Sequence, residues 1–180
     1  MDPDAFHIVF RRYSKPVLVF IYGLLGDRDR AEELTQETFI RAYQKRHTIR
    51  EGGRFSSWLF GIARNVTREA IREKYRNIRR AAGIDSFSDV LQDEGKMPDE
   101  RVIAEELQGR IRSALLTLPE DHRTVFVLKL IVNMRYEEIA EATGASIGKL
   151  KTDLHRARQK MRSELGPYID GRYPGKRGVM

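Results

Sequence analysis

The sequence predicts an all-α protein: two small helical domains joined by a flexible linker, the C-terminal one containing a helix-turn-helix. Three observations predict this. Apolar side chains recur at helical spacing through most of the 180 residues, and no alternating strand pattern appears. Residues 77–101 lose that period and are rich in Asp, Ser, Gln, Glu and Gly, as a linker is. Residues 136–165 carry two helical patterns separated by Gly144 and Ser146. The expected division is therefore a domain over 1–76, a linker over 77–101, a domain over 102–166 and a flexible tail over 167–180.

The first helix spans about 2–25, with Phe6, Val9, Phe10, Tyr13, Val17, Phe20, Ile21 and Leu24 on one face and a possible bend at Pro16. Gly23 and Gly26-Asp27 mark a turn. A second helix spans about 29–45, with Ala31, Leu34, Thr38, Phe39, Ala42 and Tyr43 as its apolar face. Its outer face starts acidic (Asp29, Glu32, Glu33, Glu37) and ends basic (Arg41, Lys45, Arg46), which suits the helix dipole. Residues 46–54 contain Gly52-Gly53 and read as a loop. The third helix runs from Ser56 or Ser57 to about Tyr75 on Trp58, Leu59, Ile62, Val66, Ala70 and Ile71. Beyond the linker, Val102, Ile103, Leu107, Ile111, Ala114, Leu115 and Leu118 form one helix face, which Pro119 ends. A further helix is expected over 123–132.

The most regular segment follows. A short helix over 136–143 ends at Gly144, which supplies the positive φ of a helix C-terminus. Ser146 is placed to cap the next helix. That helix buries Leu150, Leu154, Ala157, Met161 and Leu165, at steps of four, three, four and four. Between Gly148 and Arg162 stand six Lys/Arg and a single acid, Asp153. One face can dock on its own domain while the other offers cationic and hydrogen-bonding side chains to phosphates and base edges. A solvated basic face on an ordinary amphipathic helix is the competing reading of the charge alone.

Composition narrows the function classes. The formal net charge is +7, which favours a polyanionic partner. Cysteine is absent, so disulfides, thiol nucleophiles, thiolate zinc sites and iron–sulfur clusters are excluded. Four scattered histidines form no ligand set by spacing, and no metal or cofactor is expected. The acidic N-terminus is not that of a signal peptide. The longest apolar stretch, 16–25, is far short of the ~20 residues that span a bilayer. The expectation is a cytoplasmic chain with no direct membrane insertion.

The motifs together resemble a family. Tyr136-Glu137-Glu138-Ile139-Ala140 and Gly148-Lys149-Leu150-Lys151-Thr152-Asp153-Leu154-His155-Arg156-Ala157-Arg158 are similar to the fourth conserved region of bacterial sigma factors. Leu115, Leu118, Pro119, Glu120 and Arg123 resemble the approach to that region. Ala31-Glu32-Glu33-Leu34-Thr35-Gln36-Glu37-Thr38-Phe39 resembles the second region, and Phe55-Ser56-Ser57-Trp58-Leu59-Phe60-Gly61-Ile62-Ala63-Arg64-Asn65 the segment after it. The short length resembles the extracytoplasmic-function group of the sigma-70 family.

The resemblance implies a non-enzymatic factor that binds core RNA polymerase and directs promoter recognition and transcription initiation. It places Glu32, Glu33, Gln36 and Glu37 on the clamp helices of the largest polymerase subunit, and the second domain by the flap of the second-largest. It places Arg54, Arg64, Asn65 and Arg68 at the minus-ten element, where a flipped base needs a pocket that pairs with its edge. Phe55 and Trp58 have the spacing of core residues, with base stacking as the alternative. It places Lys151, Thr152, His155 and Arg156 at the minus-thirty-five element, with Lys149 and Arg158 on flanking phosphates. Lys149-Leu150 and Asp153 depart from the usual pattern. Asp153 either pairs with Lys149 or Arg156, or accepts from a cytosine amino group. The linker either threads toward the polymerase active site or is simply solvated. Promoter DNA and an anti-sigma protein are the other partners implied.

The alternative is a stand-alone helix-turn-helix regulator, which leaves the motifs of the first half unexplained. An enzyme is disfavoured, because the carboxylate pairs lie away from the apolar stripes and no Glu-x-x-His or phosphate-loop motif is present.

Overall fold

The structure, a computed structural model, describes residues 3–49, 54–82 and 100–169. Every regular element among them is helical. Helix α1 (Pro3–Leu25) continues through Pro16, and α2 (Arg28–Gln44) antiparallels it after a tight turn. Gly26 makes that turn at φ 70°, and the Asp27 carboxylate caps α2 by accepting from the Arg30 amide at 3.0 Å. A short 3-10 turn, Arg46–Thr48, leads toward α3 (Phe55–Ala82). Gly52-Gly53 and the rest of 50–53 lie outside the described residues.

The third helix corrects the sequence reading. It does not stop near Tyr75 but runs on to Ala82, so residues 77–82, expected in the linker, are helical. Residues 76–82 hold Arg, Asn, Ile and Ala and no Gly or Pro, and nothing breaks the helix before Gly83. The rest of the linker, 83–99, lies outside the described residues.

The second half is α4 (Glu100–Leu116), α5 (Glu120–Phe126), α6 (Tyr136–Thr143) and α7 (Ile147–Ile169). The helix expected over 123–132 starts earlier and ends differently. Glu120 and Asp121 form its first turn behind Pro119, where acids meet the positive helix end. After Phe126 the chain widens into a π turn, Val127–Ile131, closed by the Val132 amide on the Val127 carbonyl at 2.9 Å. Asn133 then takes a left-handed conformation, φ 63°. Periodicity cannot distinguish this wider turn from one more α-helical turn.

The helix-turn-helix matches its prediction. Gly144 closes α6 at φ 73°, and Ser146 Oγ accepts from the Lys149 amide at 3.2 Å. Leu150, Leu154, Ala157 and Met161 are buried, and Leu165 packs against the core half-buried. Helix α7 passes Gly166 and Pro167 to Ile169, so only 170–180 of the expected tail lies beyond the described helix.

One apolar cluster holds both halves. Val17, Phe20, Ile21, Leu59 and Phe60 of the first half are continuous with Leu118, Val125, Val127, Leu128, Ile139 and Leu154 of the second. At the junction the two halves approach closely at two glycines. A Cβ on Gly61 of α3 would stand 3.4 Å from the Ala142 carbonyl oxygen of α6, and one on Gly23 of α1 would stand 2.9 Å from Val127 Cγ2.

Candidate nucleic-acid interface

Helix α7 sorts its side chains as a recognition helix requires. Its apolar stripe faces α4, α5 and α6, so the opposite face is free. Lys151, Thr152, His155, Arg156 and Arg158 are all exposed on it. Five of the six candidate minus-thirty-five residues thus share an open, cationic surface. Lys149 differs. Its ammonium donates to Asp121 Oδ2 at 2.8 Å and to Asp153 Oδ2 one turn along α7. The Asp121 carboxylate, then Asp153, hold Lys149 above its ordinary pKa, and Lys149 in turn holds Asp121 below its own.

Asp153 faces inward, its side chain 8% exposed. Besides Lys149 it meets His122 of α5, whose Nε2 lies 3.5 Å from Oδ1. Of the alternatives open from sequence, internal pairing is the one found, with Lys149 and not Arg156.

The four candidate minus-ten residues divide differently. Arg54, just ahead of α3, and Asn65 on it are exposed. Arg64 and Arg68, one turn apart, are turned against the second half. Arg64 is 14% exposed; its Nη1 donates to the Thr143 carbonyl at 3.3 Å and its Nη2 lies 3.9 Å from Asp121 Oδ1. Burial, then the neighbouring Arg68, pull its pKa below the ordinary guanidinium value. Arg68 Nε stands 2.6 Å from Glu120 Oε1, an ion pair without hydrogen-bond alignment. Arg64, Asp121, Lys149 and Asp153 line a cleft of about 250 Å³ at this seam. Phe55 and Trp58 pack half-buried on the core, rings 5.4 Å apart, as their spacing predicted. Trp58 Nε1 also donates to Thr48 Oγ1 at 3.3 Å.

Two further links cross the seam. Ser56 Oγ donates to Glu138 Oε1 at 2.8 Å. Glu138 also accepts from the Arg135 amide at 2.9 Å, capping α6. Burial alone would raise the Glu138 pKa, but these hydrogen bonds outweigh it and leave the pKa below the ordinary value. Arg123 donates to three carbonyls: Leu24 at 2.6 Å, Leu116 at 2.8 Å and Leu118 at 2.9 Å. Sequence reading missed Glu120, Asp121 and Glu138 as partners of the first half. The acids after Pro119 and the α3 arginines are legible as opposite charges, but which pairs meet depends on tertiary packing.

Helix α2 presents Glu32, Glu33 and Gln36 to solvent, with Glu37 half-buried beside them. Each acid has a helical neighbour: Arg28 to Glu32 at 3.1 Å, Arg30 to Glu33 at 2.6 Å, and Arg41 to Glu37 at 2.7 Å. Such exposed pairs contribute little and part readily for another partner. The face is one continuous strip of carboxylates and one amide.

Among the described residues, no His, Asp and Glu group is placed to hold a metal ion, and no helix is long and apolar enough to cross a membrane.

Comparisons with known proteins agree with this geometry. Residues 9–77 match Sigma-70 region 2, and residues 108–161 match Sigma-70, region 4. The chain is 34% identical to the ECF RNA polymerase sigma factor SigW of Bacillus subtilis, covering 91% of this chain and 90% of that one. It is 33% identical to the ECF RNA polymerase sigma factor EcfG of Rhodopseudomonas palustris, over 84% and 79%. Its fold is similar to that of the sigma factor RpoE of Bartonella quintana, solved with the anti-sigma factor NepR (TM-score 0.72, 24% identity, 90% and 97% covered). It is also similar to CnrH, solved with the cytosolic domain of CnrY (TM-score 0.70, 22% identity, 92% and 90% covered). With both conserved regions in order on one chain, and relatives matched over nearly their whole length, the protein belongs to the ECF group of the sigma-70 family: it is a sigma factor that directs RNA polymerase to promoters.

Proposed function

We propose that the division of labour follows three surfaces of the chain. The strip Glu32, Glu33, Gln36 and Glu37 docks on the clamp helices of the largest polymerase subunit. Arg54, Arg64, Asn65 and Arg68 hold the minus-ten element, with Asn65 offering donor and acceptor to an unstacked base and the arginines holding phosphates. Lys151, Thr152, His155, Arg156 and Arg158 read the minus-thirty-five element in the major groove, with the second domain beside the flap. Lys149 joins them only as far as Asp121 and Asp153 release it. The single observation behind this reading is that one chain carries an exposed acidic helix face in its first half and an exposed cationic recognition helix in its second. The acidic face suits a basic protein helix and the cationic face suits DNA. The domains are those over 1–76 and 102–166, and the site of action is the cytoplasm, where polymerase is. The similar structure of RpoE, solved with the anti-sigma factor NepR, supports a similar restraint on this chain.

Two measurements test the assignment. Glu33→Lys with Gln36→Ala alters only exposed positions, so folding is retained while retention on immobilised core polymerase falls by at least tenfold. Unchanged retention refutes the clamp assignment. Arg156→Ala weakens holoenzyme binding to promoter DNA and lowers the slope of log affinity against log salt by about one, the loss of a single phosphate contact. An unchanged slope and affinity remove Arg156 from the interface.

A further inference from the structure

We infer that Asp121 and Asp153 withhold Lys149 from promoter DNA, so that the recognition helix engages the minus-thirty-five element without its first cation and holds it less tightly than its basic residues would allow. The inference rests on the reading of α7 as the helix that enters the major groove. It goes beyond that reading by naming two acids that set how strongly the helix binds.

The arrangement is not one that a helix favours on its own. Lys149 stands in the first turn of α7, where the positive end of the helix dipole opposes a cation. Asp153 follows one turn later, and a base placed ahead of an acid at this spacing is the weaker orientation of such a pair. Tertiary partners hold the lysine instead. Its ammonium donates to Asp121, in the first turn of α5, at 2.8 Å as well as to Asp153. Asp153 is fixed from a second side by His122 of α5, whose Nε2 lies 3.5 Å from its Oδ1, and its side chain is only 8% exposed. Arg64 of α3 approaches Asp121 at 3.9 Å.

The consequence is electrostatic. Two carboxylates on one ammonium leave this end of α7 without net positive charge. A phosphate that approaches Lys149 meets both acids, and it gains little from a cation already hydrogen-bonded twice. Asp153 is enclosed between α5 and α7 and does not turn away into solvent. Lys151, Arg156 and Arg158, by contrast, stand exposed on the outward face and take part in no ion pair among the described residues. The acids therefore single out one lysine and leave the rest of the reading face charged.

A double-mutant cycle, read through the salt dependence of holoenzyme binding to promoter DNA, tests this coupling. One phosphate contact adds about 0.9 to the slope of log affinity against log salt, which widens the affinity ratio between about 50 and about 200 mM salt by about 3.5-fold. Lys149→Ala is expected to leave the slope of the parent chain unchanged. Asp121→Asn with Asp153→Asn is expected to steepen the slope by about that one contact and to tighten binding severalfold at the low-salt end. Adding Lys149→Ala to the two asparagines is expected to remove the whole gain. A slope that falls by about one contact in Lys149→Ala alone means that Lys149 already holds DNA, and it overturns the inference. So does an unchanged slope in the asparagine variant, or a gain that survives the loss of Lys149, which would belong to the acids themselves. Asp121→Asn alone, at a half-exposed position, is expected to tighten low-salt binding by about twofold or more. It decides the matter if asparagine at the buried Asp153 unfolds the helix, since no gain there also overturns the inference. Arg156→Ala stands outside the cycle. If it changes neither slope nor affinity, the reading of α7 itself fails; if it lowers the slope while the cycle stays flat, only the withholding of Lys149 does.

Discussion

Phe60→Ala unfolds the first half of the chain, or leaves it close to unfolding, at growth temperature. Phe60 lies on α3 and is 1% exposed. Its ring meets Phe20 of α1 edge-on, 5.5 Å between centroids at 81°. The substitution removes the apolar burial of a whole ring and leaves a cavity that helices joined by short turns cannot collapse, a loss of about 3–5 kcal/mol. A domain this small has only about 5–15 kcal/mol in total. The expected result in urea is a midpoint far below that of the parent, with the polymerase-binding and minus-ten surfaces lost together. An unfolding free energy within about 0.5 kcal/mol of the parent, the usual range for surface substitutions, would show that α1 and α3 do not pack through Phe60.

Arg123→Ala has the second largest effect, for a different reason. Leu24 and Leu116 lie at the C-terminal ends of α1 and α4, where carbonyls have no partner within the helix. The Arg123 guanidinium donates to both and to Leu118, so one side chain from the second half caps a helix of the first. It also sits at the negative end of two helix dipoles. Alanine leaves these partly buried carbonyls without this donor, and each such loss costs about 1–3 kcal/mol, so the expected fall in unfolding free energy is roughly 3 kcal/mol. Arg123→Lys does not restore it, because an ammonium cannot fork to three carbonyls in this arrangement. Full rescue by lysine would mean that charge alone, not the fork, carries the effect. Thermal unfolding of the three chains decides between these outcomes.

The sequence carried more of the recognition helix than of the seam, and the reason is physical. Leu150, Leu154, Ala157 and Met161 announce a buried stripe because their spacing is local, and Gly144 announces a turn because few residues adopt its backbone conformation. The exposed face of α7 follows by subtraction. The end of α3 was misplaced because residues 76–82 are polar and rich in arginine, as linkers are, although nothing in them stops a helix. The π turn after Phe126 was invisible, since Val127–Ile131 has the apolar character of either turn. Arg64 and Arg68 were legible as cations but not as covered ones: their partners Asp121 and Glu120 lie more than fifty residues away in sequence. Asp153, which looked misplaced on a DNA-facing helix, is explained once His122 and Lys149 are seen around it.

The most direct test of the account is run-off transcription with core RNA polymerase from the source bacterium, with and without this chain, on genomic promoter fragments. The account predicts a defined start site that appears only with the chain present, and that Arg64→Ala with Arg68→Ala suppresses. Tight, sequence-specific binding to duplex DNA by the chain alone, with no retention on core polymerase and no new transcript, would contradict it and favour a stand-alone helix-turn-helix regulator.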